Sequence, residues 1–231
     1  MKRTIHMFIF LLTAGTFILL FSCSKSSSGG GGGGGTVTPI SGLFPFALNN
    51  TWNYRLKNYD TATGNVIDST DFTLTVTGQT TANGVVYYQL KNSLNNSSLW
   101  LGNLSSTKVG SIDSVNGITY YTLFVKGTGD STQSISSWPV NLNTSGTPCI
   151  GTEKLYAYYA DTTLIDLDGT VYTNSIKNDA VIYDCSAQKN SAQIFFVQNG
   201  LGLVRYVQYV YNASGNRFLK LAWILESETL H

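Results

Sequence analysis

Phe72-Thr73-Leu74-Thr75-Val76-Thr77 alternates apolar and polar side chains without a break. That period of two places three apolar groups on one face of an extended strand. Leu219, Leu221, Trp223 and Leu225 repeat the pattern near the end of the chain. Around these stretches the sequence is rich in Thr, Tyr, Val, Ile and Phe, the residues that suit a pleated, half-buried surface. Turn signals recur between the apolar runs: Thr63-Gly64, Asn83-Gly84, Asn116-Gly117, Asp168-Gly169, Asn199-Gly200 and Ser214-Gly215. Asn-Gly and Asp-Gly supply the positive φ that tight hairpins need.

These signals predict strands near 51–59, 66–77, 84–91, 97–101, 117–126, 154–166, 170–176, 179–184, 192–198, 202–211 and 217–226. Nothing after residue 40 holds an apolar period of 3.6. The expected fold is therefore all-β and mainly antiparallel: a single curved sheet or half-barrel of about ten strands, with a two-sheet sandwich as the alternative. The segment 127–150 is polar and holds Trp138-Pro139 and Pro148, and it reads as a long loop. Ile194 to Val197 and Leu203 to Tyr211 are apolar or aromatic on both faces, so those strands are either covered twice or face a ligand cavity.

The N-terminus carries the clearest functional signal. Lys2-Arg3 precedes an apolar run from Met7 to Phe21, then Ser22 and Cys23. The run is short of the roughly 20 residues that cross a bilayer as a helix. Leu20 is too large for the small-x-small site of an ordinary secretory signal. The order resembles a bacterial lipoprotein signal peptide, which implies cleavage before Cys23 and acylation of it. A diacyl or triacyl cysteine holds a protein on a membrane without a spanning helix. Ser24-Lys25-Ser26-Ser27-Ser28 and Gly29 to Gly35 follow, a flexible tether with nothing to bury. From residue 24 to 40 it would span about 23 Å root-mean-square. The chain thus divides into a signal peptide 1–22, a lipidated cysteine and tether 23–40, and one β domain 41–231.

Composition excludes more than it selects. With Lys2 and Arg3 removed, 12 basic side chains face 13 acidic ones, mixed along the chain. That balance argues against nucleic acid and against a polybasic membrane patch. His6 leaves with the signal peptide and His231 is the last residue, so the mature domain has no internal histidine. Histidine-based nucleophilic catalysis and the usual zinc sites are thereby excluded. No phosphate-binding glycine loop is present. Asp166-Leu167-Asp168-Gly169 lacks the further oxygen ligands of a calcium loop and reads as a hairpin turn. No enzyme activity, cofactor or metal is expected. Cys149 and Cys185, an even pair in an exported chain, are a candidate disulfide. Among 4 tryptophans and 14 tyrosines, Trp100 and Trp138 are the candidates for stacking on a sugar ring.

A second resemblance is carried by Phe44-Pro45-Phe46, by Asn49-Asn50-Thr51-Trp52-Asn53-Tyr54, by Val85 to Leu90 after Asn83-Gly84, and by Gly200-Leu201-Gly202-Leu203-Val204. Together they look like exported bacterial lipoproteins of unknown function, some similar to the lipoprotein-carrier (LolA/LolB-like) half-barrel. That likeness implies an antiparallel sheet curled around an apolar groove. The expected function is a non-catalytic envelope lipoprotein that binds a ligand or partner, or acts as a scaffold. It would be lipid-anchored in the outer membrane of a Gram-negative cell, with the periplasmic side favoured. The alternative is a carbohydrate-binding accessory of glycan uptake. An apolar or glycan ligand and the membrane are the expected partners.

Overall fold

The computed structural model describes residues 42–112, 120–126, 136–144, 147–157, 162–165 and 171–231. The signal peptide 1–22, Cys23, the tether and the Asp166 to Gly169 turn lie outside the described residues. Thirteen antiparallel strands form one sheet. They are β1 (Thr51–Tyr59), β2 (Val66–Ala82), β3 (Val85–Asn92), β4 (Ser98–Ser105), β5 (Lys108–Ile112), β6 (Tyr120–Val125), β7 (Ser136–Thr144), β8 (Thr147–Ala157), β9 (Thr162–Ile165), β10 (Val171–Tyr183), β11 (Lys189–Gln198), β12 (Gly202–Tyr211) and β13 (Arg217–Thr229). The strand order is β6-β5-β4-β3-β2-β1-β13-β12-β11-β10-β8-β7, with β9 also on β10. The sheet curls into a half-barrel, and the sandwich alternative falls away because there is no second sheet among the described residues.

Two meanders make this sheet, one running from β1 to β6 and one from β13 back to β7. They meet where β1 pairs with β13, Leu56 opposite Trp223 and Arg55 opposite Ile224. Most of the meander is local hairpin pairing. Ala82 and Val85 pair across a two-residue loop in which Asn83 and Gly84 both have positive φ, 48° and 76°. That is the loop whose twist matches the twist of the strands it joins.

The expected loop over 127–150 is corrected in its second half, which is strand: Ser136 to Thr144 pairs with Leu155 back to Thr147. Two prolines argued against strand here. Yet β7 pairs with β8 alone and Pro139 lies on that edge strand, where a missing N–H breaks no ladder bond that the fold needs. Three smaller differences follow. The strand Lys108–Ile112 was not expected, the expected 154–166 strand is β8 followed by β9, and the expected 170–176 and 179–184 strands are one strand, β10.

The half-barrel is drawn closed by one side chain. Asn178 on β10 is fully buried. Its Oδ1 accepts the Val125 N–H of β6 at 3.0 Å, and its Nδ2 donates to the Val125 carbonyl at 3.0 Å. The amide takes the place of a neighbouring strand's backbone, so β6 is held to β10 with no ladder between them. Replacing it leaves two backbone groups of Val125 without partners, each costing about 1–3 kcal/mol if it stays buried. Asn178→Ala is expected to lower unfolding free energy by about 2 kcal/mol or more in urea titrations. A loss under about 0.5 kcal/mol, the size of an ordinary surface change, would contradict this role.

Candidate functional site

The concave side of the sheet is where a carrier would hold its cargo. Here it is filled by a continuous chain of aromatic rings. Tyr88 stacks on Phe46, Phe46 on Phe44 and Phe44 on Phe124, at centroid distances of 5.4, 5.2 and 5.5 Å. The contacts run on through Phe195, Tyr206 and Trp223 to Phe72 and Tyr54, each step between 4.7 and 5.4 Å. Such offset or tilted pairs contribute about 0.5–1.5 kcal/mol each beyond the area they bury.

Leu43-Phe44-Pro45-Phe46 enters this interior as a plug. Asn103 on β4 holds it by a paired contact: Phe44 N–H donates to Oδ1 at 3.3 Å, and Nδ2 donates to the Phe44 carbonyl at 2.9 Å. Asn50 Nδ2 donates to the Pro45 carbonyl. On the other side Gly202 has φ 92°, and a Cβ there would lie 2.9 Å from Phe44 Cδ1. Only a residue without a side chain satisfies both the dihedral and the approach. Trp52 Nε1 donates to the Leu201 carbonyl and Tyr54 Oη to the Leu203 carbonyl, both at 2.7 Å. The three sequence pieces Phe44 to Phe46, Trp52 to Tyr54 and Gly200 to Val204 therefore meet in one place, and what they build there is core.

The sequence-predicted stacking residues do not come together. Trp100 lies half-buried on the outer face of β4, between the inward-facing Leu99 and Leu101. Its ring edge reaches over Gly78, 3.9 Å from where a Cβ would stand. Residue 138 is on β7, paired with Glu153, and β4 and β7 are not neighbours in the sheet. The side chain of Trp138 lies outside the described residues. Cys149 and Cys185 are joined in a disulfide with their Cα atoms 6.1 Å apart, tying β8 to the turn after β10.

Charged and polar groups fall in three places. On the outer surface a shallow depression of about 330 Å³ is bordered by Asn53, Arg55, Asp71, Thr73 and Glu226. Arg55 bonds Asp71 at 2.9 Å and lies 3.6 Å from Glu226. Its pKa is raised first by the hydrogen bond to Asp71, so the charge is already matched. Inside the sheet, Glu153, Gln193 and Tyr206 are buried. Burial first, then the Glu153 charge, pushes the Tyr206 phenol well above its ordinary pKa. Its oxygen and Gln193 Oε1 have no hydrogen-bond partner, a place for buried water in a polar interior.

The third place was not visible in the sequence. On the outer face of β8 and β10–β13, cations and tyrosines alternate. Lys154 Nζ lies 5.1 Å from the Tyr183 ring, Lys189 Nζ 5.9 Å from the Tyr211 ring, and the Arg217 guanidinium 4.3 Å from the Tyr209 ring. Register links the pairs, because Tyr183 is opposite Lys189 and Tyr211 is opposite Arg217. Tyr156 and Tyr183 share a hydroxyl hydrogen bond at 3.1 Å. Burial and that bond push the Tyr156 pKa up to about 12, so it stays protonated at neutral pH. Among the described residues no group of three or more His, Cys, Asp or Glu side chains could hold a metal ion.

No protein-family model matches this chain, and no curated protein matches it. Two solved structures are similar in fold. One, described as a "putative lipoprotein" from Parabacteroides distasonis, shares 12% identity over 83% of this chain and 100% of its own, with a TM-score of 0.47. The other, a "putative exported protein with YmcC-like fold" from Bacteroides fragilis, shares 12% identity over 82% of this chain and 100% of its own, with a TM-score of 0.46.

Two outcomes test the filled interior. Phe44→Ala is expected to destabilise the fold by about 3–5 kcal/mol, the usual range for a buried phenylalanine, measured by urea unfolding. The second concerns pH. Burial raises the Tyr54 and Tyr206 phenols above the ordinary value of 10.0. Unfolded tyrosine loses its proton near pH 10 while the folded phenols keep theirs, so the native state binds more protons there. Stability is then fully present below about pH 10 and falls as pH rises further. Tyr54→Phe is expected to cost about 1 kcal/mol at neutral pH and to flatten the alkaline fall. An unchanged slope between pH 9.5 and 11.5 would count against Tyr54 as a source of it.

Proposed function

We propose that this chain is a non-catalytic cell-envelope lipoprotein, acylated at Cys23 and presenting its β domain on a flexible tether. The observation that carries the reading is the order Lys2-Arg3, apolar Met7 to Phe21, Cys23 and then the Gly29 to Gly35 run. Export also suits a domain stapled by Cys149 and Cys185, since disulfides persist outside the reducing cytosol. Anchoring is to the outer membrane of a Gram-negative cell, with the domain on the periplasmic side.

The domain binds a partner or ligand, or serves as a scaffold, through its outer surface. A filled interior supports that choice over an apolar cargo, which would have to displace Phe44 and Phe46. A second reading, carbohydrate capture as an accessory of glycan uptake, is favoured by the row of tyrosines and cations on the outer face. It gains nothing from Trp100 and Trp138 as a pair, because β4 and β7 are separate strands.

The lipoprotein reading is tested in a Gram-negative host grown with a radiolabelled or alkyne-tagged fatty acid. The native chain is expected in the membrane fraction carrying the label, and Cys23→Ser is expected to lose both. Label retained by Cys23→Ser, or an unlabelled soluble native chain, would overturn it.

A further inference from the structure

We propose that the outer face of β8 and β10–β13 binds an anionic polysaccharide carrying one acidic group per disaccharide unit. The site is the ladder Lys154, Tyr183, Lys189, Tyr211, Arg217 and Tyr209.

The first ground is charge. Among the described residues Lys154, Lys189 and Arg217 form no ion pair, whereas Arg55 and Lys177 are paired with carboxylates. The carboxylates near the ladder are engaged elsewhere. Asp184 Oδ1 accepts the backbone N–H groups of Ser186 and Gln188 at 2.8 and 2.9 Å. Asp179 takes Lys177 at 3.3 Å. Glu153 is buried beneath the sheet. Three cations on one face are thus left without a counter-charge, in a chain whose overall charge is close to zero.

The second ground is order. Each cation rests on a tyrosine ring, which restricts a side chain that would otherwise move freely. Lys154 is on β8, Lys189 on β11 and Arg217 on β13, each two strands from the next. Two inter-strand spacings are about 10 Å, which is about the length of a disaccharide unit. The three charges therefore repeat along a line across the strands with the period of a polymer charged on alternate sugars.

The third ground is the polar surround. Phenol hydroxyls of Tyr156 and Tyr183 lie within the row and are protonated at neutral pH or bonded to one another. Hydroxyls and ring edges of this kind serve the neutral sugar between two acidic ones. A fluid layer of anionic headgroups would match the sign of the charge, but it has no fixed spacing.

Such a ligand would be met only outside the cytoplasm, so the assignment needs export. The binding assay itself uses purified chain and succeeds or fails independently of localisation.

Whole chain carrying Cys23→Ser, so that no acyl group attaches, is titrated calorimetrically with a hyaluronan decasaccharide, which bears one carboxylate per disaccharide. The controls are a neutral chitin hexasaccharide and vesicles containing phosphatidylglycerol. Expected is binding to hyaluronan that weakens as salt is raised, with none to the neutral sugar at the same concentration. Lys189→Gln and Arg217→Gln are each expected to weaken it about tenfold, the size of one charge-assisted contact, with the melting temperature unchanged because both side chains are exposed. Absence of hyaluronan binding would overturn the proposal. So would binding indifferent to both substitutions, or binding to the anionic vesicles alone.

Discussion

The contact between Phe44 and Phe124 is the join on which the rest of this molecule depends. It links an entering segment to the strand at one end of the sheet order, and Phe124 in turn meets Phe195 on the opposite meander. Antiparallel hairpins alone would leave an open, curved ribbon. The ring chain pulls that ribbon shut, and Asn178 then secures β6 against β10 without a backbone ladder. Removing the rings would leave the amide clamp with nothing to hold in register, since β6 and β10 share no paired strands.

A filled interior decides where function can lie. Strands β11 and β12 are apolar on both faces, and the structure gives the reason. Phe195, Val197 and Tyr206 face the core, while Ile194 and Val207 pack outside against Tyr59 and Ala222. Neither face leaves an apolar cavity there for cargo. The chemistry still available to a partner is on the convex surface, in unpaired cations braced by tyrosine rings.

Much of the fold was legible because it is local. Alternation in Phe72 to Thr77 and the Asn83-Gly84 turn depend on neighbours in sequence, and both became strand and hairpin where expected. The pairing of β1 with β13 joins residues such as Leu56 and Trp223 that are far apart in sequence, and no local pattern announces it. β7 was missed because proline weighs against strand everywhere except at an edge, and edge status is a property of the whole sheet. The quoted motifs around Phe44, Trp52 and Gly202 could be seen as a resemblance, but their mutual contact could not. The cation ladder was hidden for the same reason. Lys154, Lys189 and Arg217 look like dispersed charges in the sequence, and only the register sets them in line.

Native mass spectrometry of the protein taken from its own host's envelope tests the central claim most directly. A closed, self-filled half-barrel predicts a folded-state mass equal to the processed, acylated chain, with no further apolar molecule retained. A stoichiometric lipid-sized mass that leaves on denaturation would contradict it, because the rings from Tyr88 to Tyr54 would then have to part to admit a cargo.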